Sequence, residues 1–542
     1  MCGIWALLSQ LDVDDFGKWY NSFMKLKHRG PEYSSFDLIH PKVLLGFHRL
    51  AIMDLSAEGH QPFHHVREDG SCIYCVCNGE IYDFQNLKKE YNIETKSHSD
   101  CEVIIPLYEK FGPEKTFQLL GSEFACVIID ISPEKKVKLY AGRDPIGVRP
   151  LFYSKGDYIN LSSEIKGLTD HDINSDVFVF PPGHYMTYQD GKMTLTPFHT
   201  FDYIQAPSKQ LYHITNDIRN IFVDSVKKRL ATDREFGCLL SGGLDSSLVV
   251  GVAKYLMPDK KFPVFTIAFK SGSTDLPYAK NLAKKLDLPH YIIEIDEDQA
   301  LKAIDETIYA IESWDITTVR ASVMQRLIGK YVKENTSITV LLVGENSDEL
   351  FLGYLYEHYA PTVRDAYLDS LRLVKDVHRF DGLRTDRCMA YHGLEVRLPF
   401  ADVDLVDYIY KLDPKLVIPT DGIEKYLLRK AFAGKNIIPN DILFRRKEAL
   451  SDAVSKKDRS WFQVIQAHID DMVSDQEFEE NKLKYKFCPP FTKEAYYYRK
   501  KFTEYFGDNY QTSQVIPYYW MPKWTEETND PSARTLKIYD TE

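Results

Sequence analysis

The sequence predicts a protein of two domains: an N-terminal α+β domain of stacked antiparallel sheets, then an α/β domain with a parallel sheet and a helical tail. Two observations support this fold class. The chain has 542 residues, well past the roughly 250 to 300 at which a single hydrophobic core stops growing. Short strands with frequent turns fill the first ~200 residues, whereas strands alternate with helical stretches from about Phe236 onward.

The strands predicted in the first domain are short apolar segments bounded by turn residues: 43–47, 73–77, 124–130, 137–141 and 150–154. The second domain shows strand patterns at 262–269 and 338–343, with a helical pattern at 278–286 between them. Strands that alternate with helices are typical of a parallel sheet.

A segment with prolines and no sustained periodicity, 196–213, is the predicted linker. We therefore predict domains at 2–208 and 209–542. Beyond about Lys456 the chain is rich in Tyr, Lys and Glu at helical spacing, which predicts the helical tail.

Composition excludes several classes of function. The net charge of −12 argues against nucleic acid as a partner, because polyanion binding usually requires a basic surplus. No apolar run is long enough to cross a bilayer, and no targeting pattern follows Met1. The nine cysteines lack disulfide-framework spacing. We expect a soluble, cytoplasmic protein without a membrane partner, in which the Cys72, Cys75 and Cys77 thiols pack in a buried strand rather than bind zinc.

The first candidate catalytic residue is Cys2. If Met1 is removed, the Cys2 thiol lies beside a free α-amine, whose pKa is ordinarily about 7.7 to 8.0, and this amine can serve as the general base for the thiol. Taken alone, a second-position cysteine is more often a small apolar residue that opens a strand. Three further segments change this assessment: His-Arg-Gly-Pro at 28–31, Arg-Leu-Ala-Ile-Met-Asp at 49–54 and Asn-Gly-Glu-Ile-Tyr at 78–82.

With Cys2, these segments resemble the class II, N-terminal nucleophile glutamine amidotransferases. The resemblance implies an N-terminal nucleophile hydrolase-like fold and an oxyanion hole formed by Asn78 and the Gly79 N–H. It also implies these glutamine-binding residues: Arg49, Ile52, Met53, Asn78, Gly79, Glu80 and Asp100. An arginine can bind the carboxylate of an amino acid, and a pair of carboxylates can bind its ammonium, so these residues suit both charges of glutamine.

A second motif lies at the start of the parallel-sheet domain. An apolar strand, 236–240, runs into Ser-Gly-Gly-Leu-Asp-Ser-Ser at 241–247, and a helical stretch, 248–256, follows. A glycine-rich turn that opens a helix presents N–H groups and a helix dipole to phosphate. The Gly-Lys-Ser/Thr sequence of a Walker A loop is absent, which argues against γ-phosphate transfer.

This motif resembles the PP-loop of ATP pyrophosphatases, which cleave ATP between its α and β phosphates. The resemblance implies a PP-loop, adenine nucleotide α-hydrolase-like fold and a Mg²⁺ ion at Asp245 and Asp348. It also implies these ATP-binding residues: Leu240, Ser241, Gly242, Gly243, Asp245, Ser246, Ile267, Val343 and Gly344. The serine hydroxyls add donors for phosphate, and an aspartate suits a cation beside pyrophosphate.

Four later segments complete the pattern: Thr-Thr-Val-Arg at 317–320, Val-Gly-Glu-Asn-Ser-Asp-Glu at 343–349, Gly-Leu-Glu-Val-Arg-Leu-Pro-Phe at 393–400 and Arg-Lys-Glu at 446–448. In this order, and with the amidotransferase segments, they resemble the glutamine-hydrolysing asparagine synthetases over nearly the whole chain. The resemblance implies that aspartate attacks ATP to form a β-aspartyl adenylate, which ammonia from glutamine converts to asparagine. It implies a homodimer and an internal ammonia passage as well.

The same resemblance implies roles for individual residues of this domain. Lys447 stabilises charge on the phosphate oxygens, as a cation at a phosphoryl centre does, and Glu345 takes a proton from ammonia. Thr317 and Arg320 hold aspartate. Glu395 and Arg397 we interpret as a structural ion pair.

The chain departs from the family pattern Ser-Gly-Glu-Gly-Ser-Asp-Glu at two positions, Val343 and Asn346. Asparagine tolerates positive φ, so Asn346 is expected to preserve the turn. Val343 removes a hydroxyl next to the nucleotide.

Two alternatives remain. The first is an amide- or lactam-forming synthetase on the same framework that activates a carboxylate other than aspartate. The second is a binding protein descended from the enzyme. A lactam-forming relative should lack Cys2, and a binding protein should have lost nucleophile or phosphate-loop residues, yet Cys2, Asp245, Glu345 and Lys447 are all present.

Overall fold

The structure, a computed structural model, describes residues 1–169, 176–201, 209–525, 528 and 530–540. Its N-terminal part contains two six-stranded antiparallel sheets, with strand orders β10-β8-β9-β1-β3-β2 and β12-β11-β7-β6-β5-β4. The strands are β1 (Gly3–Ser9), β2 (Tyr33–His40), β3 (Val43–Arg49), β4 (Phe63–Val66), β5 (Cys72–Glu80), β6 (Glu123–Ile131), β7 (Val137–Arg143), β8 (Phe152–Lys155), β9 (Tyr158–Ser162), β10 (Phe178–Val179), β11 (His184–Gln189) and β12 (Lys192–Pro197). The helices of this part are α1 (Phe16–Met24), α2 (Phe84–Tyr91), α3 (Ile104–Leu120) and α4 (Lys166–Thr169).

The two sheets stack because their strands bury both faces. On β6, Val127 and Ile129 belong to the core between the sheets, together with Ile4 and Ala6 of β1. The residues of β6 that point the other way pack under α2 and α3, and α1 covers the outer face of the first sheet. Alternation with period two thus builds a four-layer domain.

The C-terminal part contains a five-stranded parallel sheet of order β15-β14-β13-β16-β17. Its strands are β13 (Phe236–Leu239), β14 (Val264–Phe269), β15 (His290–Ile295), β16 (Val340–Leu342) and β17 (Glu395–Arg397). The helices are α5 (Leu211–Arg229), α6 (Leu244–Leu256), α7 (Leu276–Lys285), α8 (Glu297–Lys302), α9 (Ile304–Ile311), α10 (Ile316–Asn335), α11 (Ser347–Leu350), α12 (Val363–Asp376), α13 (Asp381–Ala390), α14 (Val403–Tyr410), α15 (Tyr426–Phe432), α16 (Asn440–Leu443), α17 (Leu450–Ala453), α18 (Trp461–Met472), α19 (Asp475–Asn481), α20 (Lys493–Phe506) and α21 (Tyr510–Ser513).

The predicted fold class is confirmed: stacked antiparallel sheets precede a parallel sheet and a helical tail. One boundary needs correction, because the helix after the glycine-rich motif begins at Leu244, inside the motif, rather than at residue 248. The predicted linker falls largely on residues 202–208, which lie outside the described residues, so the domain boundary at 208/209 stays a prediction. Within the described ranges, no helix is long and apolar enough to cross a membrane.

Buried ion pairs join the two parts. Glu312, which follows α9, accepts hydrogen bonds from the backbone N–H groups of Ile165 (2.8 Å) and Lys166 (2.9 Å). Its carboxylate also pairs with Lys166 Nζ at 2.9 Å and with Arg387 Nη2 at 3.2 Å. The side chains of all three charged residues are at most 3% exposed. One carboxylate therefore connects the start of α4 in the N-terminal part to α13 in the C-terminal part.

Replacing Glu312 with alanine is expected to lower the stability of the protein by about 1 to 3 kcal/mol, because two buried backbone N–H groups lose their acceptor and Lys166 and Arg387 each lose one of their carboxylate partners. The matched control is Glu297→Ala, since Glu297 pairs with an Arg459 side chain that is 67% exposed; such a pair contributes about 0 to 1 kcal/mol. The measurement is the thermal midpoint of each variant. Equal midpoints would contradict a structural role for the buried network.

Candidate active sites

Cys2 directly precedes β1 of the first sheet and lies beside the end of β5 of the second sheet. Its backbone N–H donates to Asn78 Oδ1 at 2.9 Å, and its thiol contacts the Leu50 carbonyl at 3.6 Å. Burial raises the pKa of the Cys2 thiol above its usual value. A nearby base is therefore needed to produce the thiolate.

Donors for an oxyanion lie beside the thiol. The Asn78 Nδ2 atom is buried and has no hydrogen-bond partner among the described residues. At Gly79, a Cβ atom would lie 2.4 Å from the Glu123 carbonyl oxygen, so only glycine fits this close approach of β5 to β6. An unpaired amide donor next to a nucleophile is the arrangement that stabilises a tetrahedral intermediate.

The predicted glutamine-binding arginine is anchored by a loop. The Arg49 guanidinium donates to the carbonyl of Ser56 at 2.6 Å and to the carbonyl of Asp54, and it contacts His60 Nδ1 at 2.8 Å. These contacts fix the guanidinium at the end of β3. The neighbouring predicted residues differ in exposure: Ile52 is buried, whereas Met53 is half-buried.

The two predicted ammonium-binding carboxylates are also buried. Burial and the charge of Glu395 raise the pKa of Glu80 well above its usual range, although Arg397 opposes this. Burial raises the pKa of Asp100 to about 6, and its Oδ2 accepts from the Ile81 N–H at 2.6 Å. A substrate ammonium at this place would favour the charged carboxylates.

The predicted ion pair of Glu395 and Arg397 is confirmed at 2.8 Å. Arg397 also reaches Glu80 of the first domain at 2.8 Å, a contact that the sequence analysis did not foresee. The Met1 ammonium lies 4.0 Å from Glu395, and burial lowers its pKa to about 6. Ion pairs thus link Glu80 of the glutamine site and the Met1 ammonium to residues of β17.

The second site is a cavity of about 190 Å³ at the carboxyl ends of β13, β14 and β16. Ligands of open parallel sheets bind at this edge. The predicted site residues that line the cavity are Leu240, Ser241, Gly243, Asp245, Ser246, Ile267, Thr317, Gly344, Glu345, Asp348 and Lys447. The structure therefore brings together segments that are up to two hundred residues apart in the chain.

The glycine-rich loop is shaped by close backbone approaches. Gly242 has φ of +97°, and a Cβ atom there would lie 2.7 Å from the Asp275 carbonyl oxygen. A Cβ atom on Gly344 would lie 2.6 Å from the Ser246 nitrogen. Only glycine at these two positions lets the loop after β13 approach the segments that follow β14 and β16. The Ser241 and Ser246 hydroxyls lie 2.9 Å apart at the start of α6, beside N–H groups suited to phosphate.

Charged groups of alternating sign lie deeper in the cavity. Lys425 Nζ lies 2.6 Å from Asp245 Oδ2 and 2.6 Å from Asp348 Oδ1, and Lys447 Nζ contacts the other oxygen of Asp348. Burial alone would raise the pKa of Asp348, but the two lysines hold it below its usual range. Burial opposes the charge of Lys447, yet Asp348 and Asp245 hold its pKa above the usual value. Lys447 is therefore cationic near neutral pH.

The carboxylates of Asp245 and Asp348 fit a divalent cation that also binds phosphate. An ammonium, that of Lys425, already bridges them, so their oxygens converge on one cationic position. Mg²⁺ is usually held by one or two carboxylates together with substrate phosphates and water. Among the described residues, no group of three or more His, Cys, Asp or Glu side chains could form an all-protein metal site.

Glu345 faces the cavity next to amide and guanidinium groups. Gln325 Nε2 donates to Glu345 Oε1 at 2.8 Å, and Arg384 Nη1 lies 3.5 Å from the same oxygen. Burial raises the pKa of Glu345. Thr317 Oγ1, at the first turn of α10, has no hydrogen-bond partner in the described part of the chain. A raised carboxylate pKa and an unpaired hydroxyl are features of a site that handles a polar substrate.

Arg320 requires a correction, because the structure does not bring it to the cavity. Its side chain is 2% exposed and pairs with Glu494 at 2.6 Å and with Asp530 at 2.7 Å. A guanidinium that is engaged by two carboxylates has no free edge for a substrate carboxylate. Gly242 and Val343 likewise do not line the cavity.

The two departures from the family pattern have different outcomes. Asn346 has φ of +78°, which confirms the prediction that it preserves the turn. Val343 is fully buried in the core and does not line the cavity. We therefore expect little effect of Val343 on ATP affinity.

The cavity residues that sequence reasoning missed include Gln325, Arg384 and Lys425, each of which contacts a predicted site residue. Gln325 lies on α10, Arg384 on α13 and Lys425 directly before α15. None belongs to a short motif, and a charged or amide residue in a helical stretch is most often at the surface. Lys425 does have φ of +54°, an unusual conformation that only a structure shows.

Comparison with known proteins covers both parts. Residues 1–179 match the family of the glutamine amidotransferase domain, and residues 217–375 and 364–528 match that of asparagine synthase. The glutamine-hydrolyzing asparagine synthetase of Gallus gallus is 40% identical over 570 residues, which cover 99% of each chain. The proteins of that name from Rattus norvegicus and Homo sapiens are 39% and 38% identical, also over 99% of each chain.

Proposed function

The chain belongs to the family of glutamine-hydrolysing asparagine synthetases, and we propose that the two sites described above carry out the two halves of its reaction. As a carbon–nitrogen ligase, it converts aspartate, ATP, glutamine and water to asparagine, AMP, pyrophosphate and glutamate. The observation that carries the proposal is the cavity in which the glycine-rich loop, Glu345 and Lys447 meet at one edge of the parallel sheet.

Glutamine hydrolysis is assigned to the first site. The Cys2 thiolate attacks the side-chain amide carbon of glutamine to form a tetrahedral intermediate. Its C–N bond breaks as the nitrogen takes up the proton removed from the thiol, so ammonia leaves and a glutamyl thioester remains, which water then hydrolyses to glutamate. Once Met1 is removed, the Cys2 α-amine lies at Asn78, where it can take the thiol proton. The free Asn78 Nδ2 donates to the oxyanion. Arg49 binds the substrate carboxylate, and Glu80 and Asp100 bind its ammonium.

Asparagine formation is assigned to the second site. The β-carboxylate of aspartate attacks the α-phosphorus of ATP, and pyrophosphate leaves as the β-aspartyl adenylate forms. The hydroxyls of Ser241 and Ser246 and the N–H groups of the loop bind phosphate oxygens. Lys447, and Lys425 beside it, offset the charge that develops there.

The reaction of ammonia with the adenylate needs a base for the nitrogen proton and residues that hold the aspartyl group. Ammonia attacks the adenylate carbonyl, AMP leaves, and Glu345 takes a proton from the new amide nitrogen. The raised pKa of Glu345 suits this role. The unpaired Thr317 hydroxyl supports a role for this residue in binding aspartate. Arg384, which lines the cavity 3.5 Å from Glu345, is the guanidinium that we assign to aspartate in place of Arg320.

Asp245 and Asp348 are the residues that would hold Mg²⁺. When bound, the ion neutralises charge on the departing pyrophosphate.

The assignment includes features supported by family resemblance alone. They are the domain limits 2–208 and 209–542, a homodimer, a cytoplasmic location and an internal passage for ammonia. The passage is chemically reasonable because ammonium, the main form of ammonia at neutral pH, is not nucleophilic.

The proposed reaction is tested by its stoichiometry. With aspartate, Mg-ATP and glutamine, we expect asparagine, AMP and pyrophosphate in equal amounts, with at least as much glutamate. Omission of aspartate should stop pyrophosphate release and leave glutamate release. Pyrophosphate release that responds to another carboxylate but not to aspartate would instead support a related synthetase of different specificity.

A further inference from the structure

The last part of the chain packs against the loop that carries Lys447. We call residues 530–539 the strap and residues 445–456 the Lys447 loop. The Arg534 side chain is only 4% exposed. Its Nη1 donates to the Lys456 carbonyl at 2.8 Å, and its Nη2 contacts the Ser455 carbonyl and Glu448 Oε2, both at 3.2 Å. One arginine thus binds three residues of the loop.

Further contacts lie on either side of Lys447. The Ser532 hydroxyl donates to Asp452 Oδ1 at 2.8 Å, and both side chains are buried. Before Lys447, Arg446 donates to the carbonyl of Ile538. The strap therefore forms hydrogen bonds with the Lys447 loop on both sides of the lysine.

The strap also contacts α10, the helix that contributes Thr317 to the wall of the cavity. Asp530 receives hydrogen bonds from Arg320 Nη1 at 2.9 Å and Nη2 at 2.7 Å. Arg320 lies on α10, one turn after Thr317. Asp530 also accepts from Gln466 of α18 at 2.7 Å. This contact explains why Arg320 is buried away from the substrate.

The strap acts through other residues, since residues 445–451 and Val454 line the cavity whereas no strap residue does. Lysine has a flexible four-carbon stem, so the position of its ammonium depends on how firmly its backbone is held. A shift of about 1 Å in a catalytic group can cost about 100-fold in rate. Buried hydrogen bonds to charged groups are costly to break, which makes them suitable to hold such a loop.

We propose that Arg534, Ser532 and Asp530 are positioning residues for adenylate formation: Arg534 and Ser532 fix the Lys447 loop, and Asp530 fixes the wall that carries Thr317. This inference rests on the proposed role of Lys447 in the synthetase reaction. The glutaminase site contains no strap contact among the described residues and should work without the strap.

The test uses the full-length protein with Arg534→Ala, Arg534→Lys and Ser532→Ala, and Arg364→Ala as a matched control at an exposed arginine of α12. Three quantities are measured for each: ammonia-dependent asparagine synthesis, glutamine hydrolysis, and limited trypsin cleavage mapped by mass spectrometry. The Lys447 loop contains trypsin sites at Arg445, Arg446, Lys447 and Lys456, so cleavage there reports directly on its mobility.

We expect Arg534→Ala to lower kcat and kcat/KM for synthesis equally, by about 100-fold, with faster cleavage within 445–456 and unchanged glutaminase. Arg534→Lys and added guanidinium ion should restore part of kcat. Ser532→Ala removes only one hydroxyl and should show the same changes to a smaller extent. It provides the test if Arg534→Ala folds poorly.

Synthesis and loop cleavage at the control level in Arg534→Ala and Ser532→Ala would overturn the inference. So would a loss of synthesis and glutaminase together with general cleavage, since that indicates a structural role. If the unaltered protein makes no asparagine, the proposed function fails first, and this outcome is distinct from a failure of the strap alone.

Discussion

Replacing Cys2 with alanine is expected to abolish glutamine-dependent asparagine synthesis and to leave ammonia-dependent synthesis near its normal rate. Every described residue that lines the synthetase cavity follows residue 238 in the chain, so the thiol has no part in that site. Removal of a covalent nucleophile can cost up to about 10⁶-fold in rate; a loss of about 10³-fold or more in glutamine hydrolysis is expected here.

Glutamate release and asparagine formation, measured separately with glutamine and with ammonium chloride, decide this prediction. Cys72→Ala is the matched control, because Cys72 is a half-buried thiol on β5 in the same domain. Loss of ammonia-dependent synthesis in Cys2→Ala, with Cys72→Ala unaffected, would contradict the separation of the two sites.

The second large effect is expected at Lys447. Lys447→Ala should lower pyrophosphate release with either nitrogen donor by about 10²- to 10³-fold, the usual cost of losing one electrostatic contact to a developing anion. It should leave glutamine hydrolysis intact. Asp348 keeps a cationic partner in Lys425, so the variant is not left with an unpaired buried carboxylate.

Lys435→Ala provides the control for Lys447, since Lys435 is exposed in the same region of the chain. Aspartate-dependent pyrophosphate release is the measurement for both variants. Normal release in Lys447→Ala would remove this lysine from the reaction and shift attention to Lys425.

Much of the fold follows from local sequence patterns. The nearly continuous apolar run of β6 marks a strand that is buried on both faces, and its odd and even residues enter different cores. The apolar run of β13 followed by glycines marks the phosphate loop. The turn at Asn346 was predictable because few residues other than glycine adopt positive φ readily. These features depend on neighbours in the sequence.

The remaining features depend on contacts between distant segments. Lys425 meets Asp245 across 180 positions of the chain, and Arg320 meets Asp530 across 210. A motif shows that Arg320 stands next to Thr317, but the direction of its side chain is decided by carboxylates on α20 and on the strap. Charge alone does not tell a substrate ligand from a buried ion pair.

The central claim, that the aspartate carboxylate attacks the α-phosphorus of ATP in the cavity formed by the glycine-rich loop, Glu345 and Lys447, is tested most directly by isotope transfer. Aspartate labelled with ¹⁸O in its β-carboxylate is incubated with Mg-ATP and ammonia, and the products are analysed by mass spectrometry. The account predicts one ¹⁸O atom in AMP and none in pyrophosphate. Label in inorganic phosphate or pyrophosphate, or unlabelled AMP formed together with asparagine, would contradict it.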